Sequence, residues 1–227
     1  MPLAVNNSVS LQIDQFDMNG FFRTNSAIFK KVKLGEASFS FLEKLFAVIL
    51  LLIFSPIMLT VAVMIRVSMG KGVLYSQIRV GKNGIPFSIV KFRSMITNAE
   101  AATGAVLATK NDPRITRLGK FLRASHIDEL PQLFNVLNGD MSFVGPRPER
   151  PEFVATFERE ILGYKRRREV KPGITGLAQI CLPYDATASE KLPYDIFYID
   201  HRESVLFNLL ISYYTALKMV TFYKTNG

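Results

Sequence analysis

Residues 45–67 read LFAVILLLIFSPIMLTVAVMIRV, and no other stretch restricts the fold so strongly. The run is uncharged up to Arg66. As one straight helix its roughly twenty uncharged residues would reach about 30 Å, the hydrocarbon thickness of a bilayer. Ser55 and Pro56 interrupt it near the middle. Proline removes a backbone donor and crowds the preceding turn, so a kink is expected, with a neighbouring serine able to satisfy the freed carbonyl. The run therefore either spans with a kink or turns back. Lys30, Lys31, Lys33 and Lys44 precede it, and Arg66, Lys71, Arg79, Lys82, Lys91 and Arg93 follow. Cations on both flanks favour a re-entrant hairpin with both ends on the cytoplasmic face. A core helix of a soluble protein fits less well, because the run is apolar all round and long.

Around this segment the chain is expected to divide into a poorly ordered tail over 1–37, the re-entrant membrane helix over 38–68 and a cytoplasmic domain over 69–227. The first forty residues do not read as a cleavable signal. One cysteine, Cys181, permits no intramolecular disulfide, and nothing argues for an oxidising compartment. The formal net charge of +9 points to a polyanionic partner: nucleic acid, anionic lipid or a phosphorylated substrate. Nucleic acid is disfavoured, because no aromatic residue interleaves with the basic run at 165–168. Two β-rich segments flank Asn83-Gly84 and predict a hairpin. Residues 96–118 predict a polar, irregular loop with a short helix, and Glu152–Arg168 predicts a helix ending in four basic residues, the pattern of a solvated helix C-terminus. The apolar stretch over 203–224 carries Tyr213, Tyr214, Lys218 and Tyr223, which suits an interfacial helix lying on a membrane or one packed on the domain. The fold class expected is α+β, mostly helical with a small β-hairpin or sheet, and membrane-associated.

The candidate chemistry sits in ASHIDELPQLFN, residues 124–135. Leu130, Leu133, Phe134 and Leu137 recur at helical spacing, Gly139 ends the pattern, and Asp128 reads as an N-cap with Pro131 in the first turn. The histidines, His126 and His201, with Cys181 cannot make a structural zinc site. A His126–Asp128 pair would depend on loop geometry, since residues two apart do not share a helix face. No Walker, GxSxG or Rossmann pattern is present. What remains is Asp128 and Glu129 lying between Arg123 and Arg147, beside a membrane segment. Phosphoryl transfer needs this inventory: arginine for phosphate oxygens, a carboxylate for Mg²⁺ and an in-line nucleophile, which an aspartate can itself be. Successive helical residues diverge by about 100°, so the two carboxylates are expected to serve different ligands.

KFRSM, NDPRITRLGKFLR, IDELPQLFNVLNGDMSFVGPRPE and VKPGITGLAQ follow the broken apolar run in that order. Together they resemble the bacterial sugar transferase family, the monotopic polyprenyl-phosphate phosphoglycosyl transferases. The resemblance covers residues 40–223. It implies transfer of a sugar 1-phosphate from a UDP-sugar to polyprenyl phosphate at the bacterial inner membrane, through a covalent aspartyl-phosphosugar. By the resemblance Asp128 is the nucleophile and Glu129 the carboxylate associated with Mg²⁺. Arg123 and Arg147 match arginines near substrate phosphates, and Lys91 and Arg93 are further phosphate contacts. Anionic inner-leaflet lipids are expected as partners, and a homo-oligomer is left open. The alternative is a non-catalytic membrane scaffold of the same fold that recruits glycan-assembly enzymes. The sugar and the final polymer are not legible.

Overall fold

The computed structural model describes residues 35–97, 99, 104, 112–183 and 185–226. The first 34 residues of the tail expected over 1–37, and most of residues 98–111 of the loop expected over 96–118, lie outside the described residues.

The apolar run forms one helix, α1 (Glu36–Met69), with Pro56 inside it. Pro56 has no N–H for the carbonyl of Leu52, and Ser55 Oγ donates to that same carbonyl at 2.8 Å. The expected serine rescue is therefore built into the helix. Thr60 and Ser68 donate to Pro56 O and Met64 O in the same way. Gly70, at φ 78°, ends the helix.

An antiparallel hairpin follows, β1 (Leu74–Val80) and β2 (Pro86–Phe92), with Val80 opposite Pro86. Asn83-Gly84 is the turn signal, as expected. The loop is longer than a two-residue turn, running from Gly81 to Ile85 with Asn83 at φ 58° and Gly84 at φ 78°. Phe87 and Ile89 on β2 pack with Ala47 of α1 and with Val136 and Met141.

Next come α2 (Arg117–Ala124), a 3-10 turn (Ile127–Glu129), α3 (Gln132–Asn138), β3 (Ser142–Val144), α4 (Pro151–Glu160), a second 3-10 stretch (Tyr164–Glu169) and β4 (Gly173–Thr175). β3 and β4 pair in parallel, Ser142 opposite Gly173 and Val144 opposite Thr175. The chain closes with α5 (Leu177–Cys181), α6 (Ala188–His201) and α7 (Val205–Asn226). A capping box between Thr187 and Glu190 starts α6. Phe207 and Ile211 of α7 are fully buried against Val144, Tyr198 and Ile199, whereas Leu206, Leu209 and Tyr213 are exposed. The predominance of helix with two small two-stranded sheets agrees with the expected fold class.

Two expectations are corrected. The helix over Glu152–Arg168 stops at Glu160, where Ile161 turns to extended backbone at φ −118°, and Gly163 at φ 84° then leads the basic run into a tight 3-10 stretch. The Asp-Glu helix does not begin at Asp128. Its N-cap is Pro131, and Asp128 lies in the preceding 3-10 turn with no capping hydrogen bond. The basic stretch before it also forms α2, started by Thr116, whose side chain accepts from Gly119 N at 2.9 Å.

Candidate active site

Ile127 and Leu130 decide where the carboxylates go. Both pack into the cluster of Val61, Ile65, Phe92 and Leu122, where the second half of α1 meets β2 and α2. To bring them there the chain turns sharply after α2, with His126 in the left-handed region at φ 56°, and closes a 3-10 turn through Glu129 N to His126 O and Leu130 N to Ile127 O. A histidine at positive φ is uncommon, so the packing of the neighbouring apolar pair must hold it there. His126 forms no hydrogen bond with Asp128 among the described residues, and burial lowers the pKa of its ring.

Glu129 receives two cations. Lys91 Nζ from β2 and Arg147 Nη2 from the turn after β3 each donate to its Oε1 at 2.6 Å. Burial works to raise its pKa, but Arg147 and Lys91 outweigh it and hold the carboxyl well below the usual range. For Lys91 burial dominates in the other direction and lowers its pKa against the pull of Glu129.

Asp128 is treated differently. It is 7% exposed, and among the described residues no donor hydrogen-bonds its carboxylate. Burial, reinforced by the charge of Glu129, raises its pKa to about 6. Lys91, Arg123 and Arg147 all oppose that rise without cancelling it. A carboxylate ionised near neutral pH, poorly solvated and holding unused acceptor capacity has the properties of a nucleophile.

The structure thus brings Asp128, Glu129, Lys91 and Arg147 together. Arg123 lies close enough for its charge to act on Asp128, and its Nε donates to Ser94 Oγ at 2.8 Å. Arg93 is not brought to Glu129. Its guanidinium turns to the end of α1, donating to Met69 O at 2.6 Å and Lys71 O at 2.5 Å. Sequence reasoning missed Ser94, although it lies in the KFRSM stretch. It also missed Asn135, whose side chain bridges Val90 N and Ser88 O and so fixes β2, the strand that carries Lys91.

No cluster of three His, Cys, Asp or Glu suited to a metal occurs among the described residues. Mg²⁺ does not require one, because it commonly takes one or two carboxylates and completes its shell with water and substrate phosphates. Glu129 Oε1 is occupied by both cations, whereas Oε2 and the Asp128 carboxylate carry no hydrogen bond among the described residues. The donor set fits such a partial site.

A buried carboxylate that accepts no hydrogen bond among the described residues thus lies beside a cation-clamped one, on a domain joined to one long apolar helix. The chain belongs to the bacterial sugar transferase family, matching it over residues 36–222. An Aeromonas hydrophila protein named UDP-N-acetylgalactosamine-undecaprenyl-phosphate N-acetylgalactosaminephosphotransferase is 44% identical over 199 residues, covering 86% of this chain and 45% of that protein. A UDP-glucose:undecaprenyl-phosphate glucose-1-phosphate transferase of Xanthomonas campestris pv. campestris is 43% identical over 183 residues, 78% of this chain and 38% of its own length. The exopolysaccharide production protein PSS of Rhizobium leguminosarum bv. phaseoli is 38% identical over 179 residues, 75% of this chain and 89% of its own. The chain spans less than half the length of the first two relatives and most of the third.

Proposed function

We propose that the protein transfers a sugar 1-phosphate from a UDP-sugar to undecaprenyl phosphate through an acyl phosphate that joins the Asp128 carboxylate to the phosphosugar, beginning a polysaccharide or glycan at the cytoplasmic face of the bacterial inner membrane. The names of the relatives support the two substrates. The observation that carries the covalent step is the contrast at one turn: Glu129 is clamped by Lys91 and Arg147, and Asp128 is left without a hydrogen-bond donor among the described residues.

In the first half-reaction an Asp128 oxygen attacks the sugar-bearing phosphorus. The bond from that phosphorus to the bridging oxygen breaks, and UMP leaves with the electron pair. In the second, an oxygen of the polyprenyl phosphate attacks the same phosphorus and Asp128 is released as a carboxylate. Arg147 and Lys91 offer donors to the phosphate oxygens, with Arg123 nearby, and Glu129 keeps the two cations in place. Mg²⁺, when bound through Glu129 and the donor phosphates, supplies charge that offsets the diphosphate. Each half-reaction exchanges one activated phosphate linkage for another, so neither needs a separate energy source.

The membrane reading rests on how α1 is held. Its first turns are fixed to the domain through Lys82 on Glu36, Lys171 on Ser40, and Ser142 and Phe143 on Glu43. Its last residues are fixed to the same domain through Arg93. A straight span would put its ends in different compartments, about 30 Å apart, which one domain cannot grip together. The middle of the helix is apolar and bare, with Leu52 70% and Leu59 68% exposed. A re-entrant segment that dips into one leaflet satisfies both facts. The exposed apolar side of α7 supports a second contact at the interface.

The test is direct. Purified protein in detergent, given Mg²⁺ and UDP-sugar radiolabelled in the sugar, should retain label on the polypeptide, release UMP before any acceptor is added, and discharge the label onto undecaprenyl phosphate. Asp128→Asn should take up none. Label that survives this substitution, or UMP release that requires the acceptor, would overturn the assignment.

A further inference from the structure

Four consecutive carbonyls in the turn bearing Arg147 are each taken by a donor from elsewhere in the fold. Pro146 O accepts from Gly173 N at 3.0 Å, Arg147 O from Arg167 Nη2 at 2.7 Å, Pro148 O from Arg79 Nη1 at 3.1 Å and Glu149 O from Val80 N at 3.0 Å. Pro146 and Pro148 also fix their own φ. Arg167 alone among these donors holds the carbonyl of Arg147 itself.

The way Arg167 is held is unusual for a member of a basic run. Arg166 faces outward to Glu169 and Asp200, and Arg168 pairs with Glu158. Arg167 turns inward. Its Nε donates to Asp195 Oδ2 at 2.8 Å, its Nη1 to Tyr164 Oη at 2.5 Å, and its guanidinium lies 4.9 Å from the centre of the Tyr164 ring. Asp195 is 3% exposed. A buried ion pair of this kind is seldom worth more to stability than a well-packed apolar pair, because both charges lose their water. Stability is therefore a poor reason for it, and geometry is a better one. From Asp195 an unbroken line runs through Arg167 to the Arg147 carbonyl, and from the Arg147 guanidinium to Glu129.

On the phosphoryl-transfer reading above, we propose that Arg167, braced by Asp195, is a positioning residue for the transfer reaction: it fixes the Arg147 backbone so that the Arg147 guanidinium meets Glu129 and the donor phosphate. Arg167 need not touch substrate. A misplacement of about 1 Å in such a clamp is enough to cost on the order of a hundredfold in rate.

Removing Arg167 alone would strand Asp195 as a buried charge, so the test uses the paired change Arg167→Met with Asp195→Leu, which replaces two ions by apolar groups of similar bulk. Arg167→Lys is the second variant. It keeps a charge for Asp195 but lacks the fork that reaches Asp195, Tyr164 and the Arg147 carbonyl together. The rate of label transfer from radiolabelled UDP-sugar is measured against donor concentration, with thermal unfolding alongside. The paired variant should unfold no lower than the parent and lose about a hundredfold in adduct formation. Its KM for UDP-sugar should rise as well, because a displaced Arg147 guanidinium no longer meets the donor phosphate. Arg167→Lys should fall between parent and paired variant on both readouts. Unchanged rate and KM in either folded variant would overturn the proposal, and so would a loss of rate with the KM for UDP-sugar unmoved, the mark of a merely structural role. An unmodified protein that forms no adduct would instead count against the reaction itself, which separates the two failures.

Discussion

Two buried clusters of arginine and carboxylate meet at Arg147, and they are completed differently. Around its backbone, Asp195 receives Arg167, which also reaches Tyr164 and the Arg147 carbonyl. Around its side chain, Glu129 receives Arg147 and Lys91, while its neighbour Asp128 receives nothing among the described residues. Both clusters carry the desolvation cost of buried charge. The first offsets much of it with hydrogen bonds, although burial still raises the pKa of Asp195. The second gives Asp128 no such bond among the described residues, and burial raises its pKa to about 6. Folding alone would favour pairing that carboxylate, and a site that leaves it unpaired gives up stability for reactivity.

The sharpest way to break this contrast is to neutralise one aspartate in each cluster. For Asp128 the sign follows from its protons. Below its ordinary value of 3.8 the folded and unfolded chains both hold the proton. Between there and about 6 the folded chain keeps a proton that the unfolded chain releases, so stability falls as pH rises through this window and stays reduced above it. At about 1.4 kcal/mol per unit the loss is on the order of 3 kcal/mol. Asp128→Asn should therefore abolish adduct formation and raise stability at pH 7.5 by up to that amount. Asp195→Asn should do the reverse, costing about 3 kcal/mol because Arg167 loses its counter-ion, while activity falls by no more than about tenfold because the bond to Arg147 O remains. Unfolding in a common detergent, followed by near-ultraviolet dichroism, measures both. If Asp128→Asn is the less stable variant, the unpaired cluster is not the strained one.

Glu129 tests the same contrast from within. In the unmodified protein the rate of adduct formation should fall about tenfold per unit below pH 6, as Asp128 takes up its proton. Glu129→Gln removes the negative neighbour that reinforces the rise and leaves Lys91 and Arg147 without their shared partner. The rate should fall by about two to three orders of magnitude as the cations lose their alignment. The acid side should move to lower pH, though not as far as an exposed aspartate, because burial is the larger cause and persists. A profile that moves to higher pH would show that Glu129 does not act on Asp128 as a charge.

What was legible in the sequence follows from range. The apolar run, the Ser55 hydroxyl that serves the carbonyl freed by Pro56 and the Asn83-Gly84 turn are written in neighbouring residues, and each appears where those residues place it, although the helix runs on through Pro56. The juxtaposition of Asp128, Glu129 and Arg147 was legible only as a resemblance, since the chain between them must fold through α3 and β3 before they meet. Local rules failed where two of them competed. Asp128 satisfies the rule for an N-cap, but the packing of Ile127 and Leu130 governs that turn and takes the carboxylate away from the helix. The basic run satisfies the rule for a solvated helix end, but α4 has already ended at Glu160, and the acceptors for Arg167 lie on α6 and at Arg147. The parallel pairing of β3 with β4 has no local signal, because each strand is three residues long and its partner is remote.

Arg93 gives the smallest effect and separates the two uses of positive charge in this fold. It lies two residues beyond Lys91 on the same stretch of chain, yet Lys91 faces Glu129 and Arg93 faces the carbonyls of Met69, Gly70 and Lys71. Those carbonyls lie at or just past the negative end of the α1 dipole, where a cation contributes about 1 kcal/mol. The clamp ties the end of α1 to the strand that carries Lys91, and on the membrane placement proposed above it would set how high the site stands over the lipid. In Arg93→Ala the C-terminal end of α1 should fray, and the acceptor should be met less often in productive register. The KM for undecaprenyl phosphate should then rise about fivefold, matching roughly 1 kcal/mol, while the KM for UDP-sugar and the acid side of the rate profile stay where they were. Initial rates in lipid nanodiscs, varying one substrate at a time, resolve the two constants. A rise in the UDP-sugar constant instead would return Arg93 to the phosphate-binding cations, where the family resemblance places it, and would mean that its place at the end of α1 is not the one it holds during turnover.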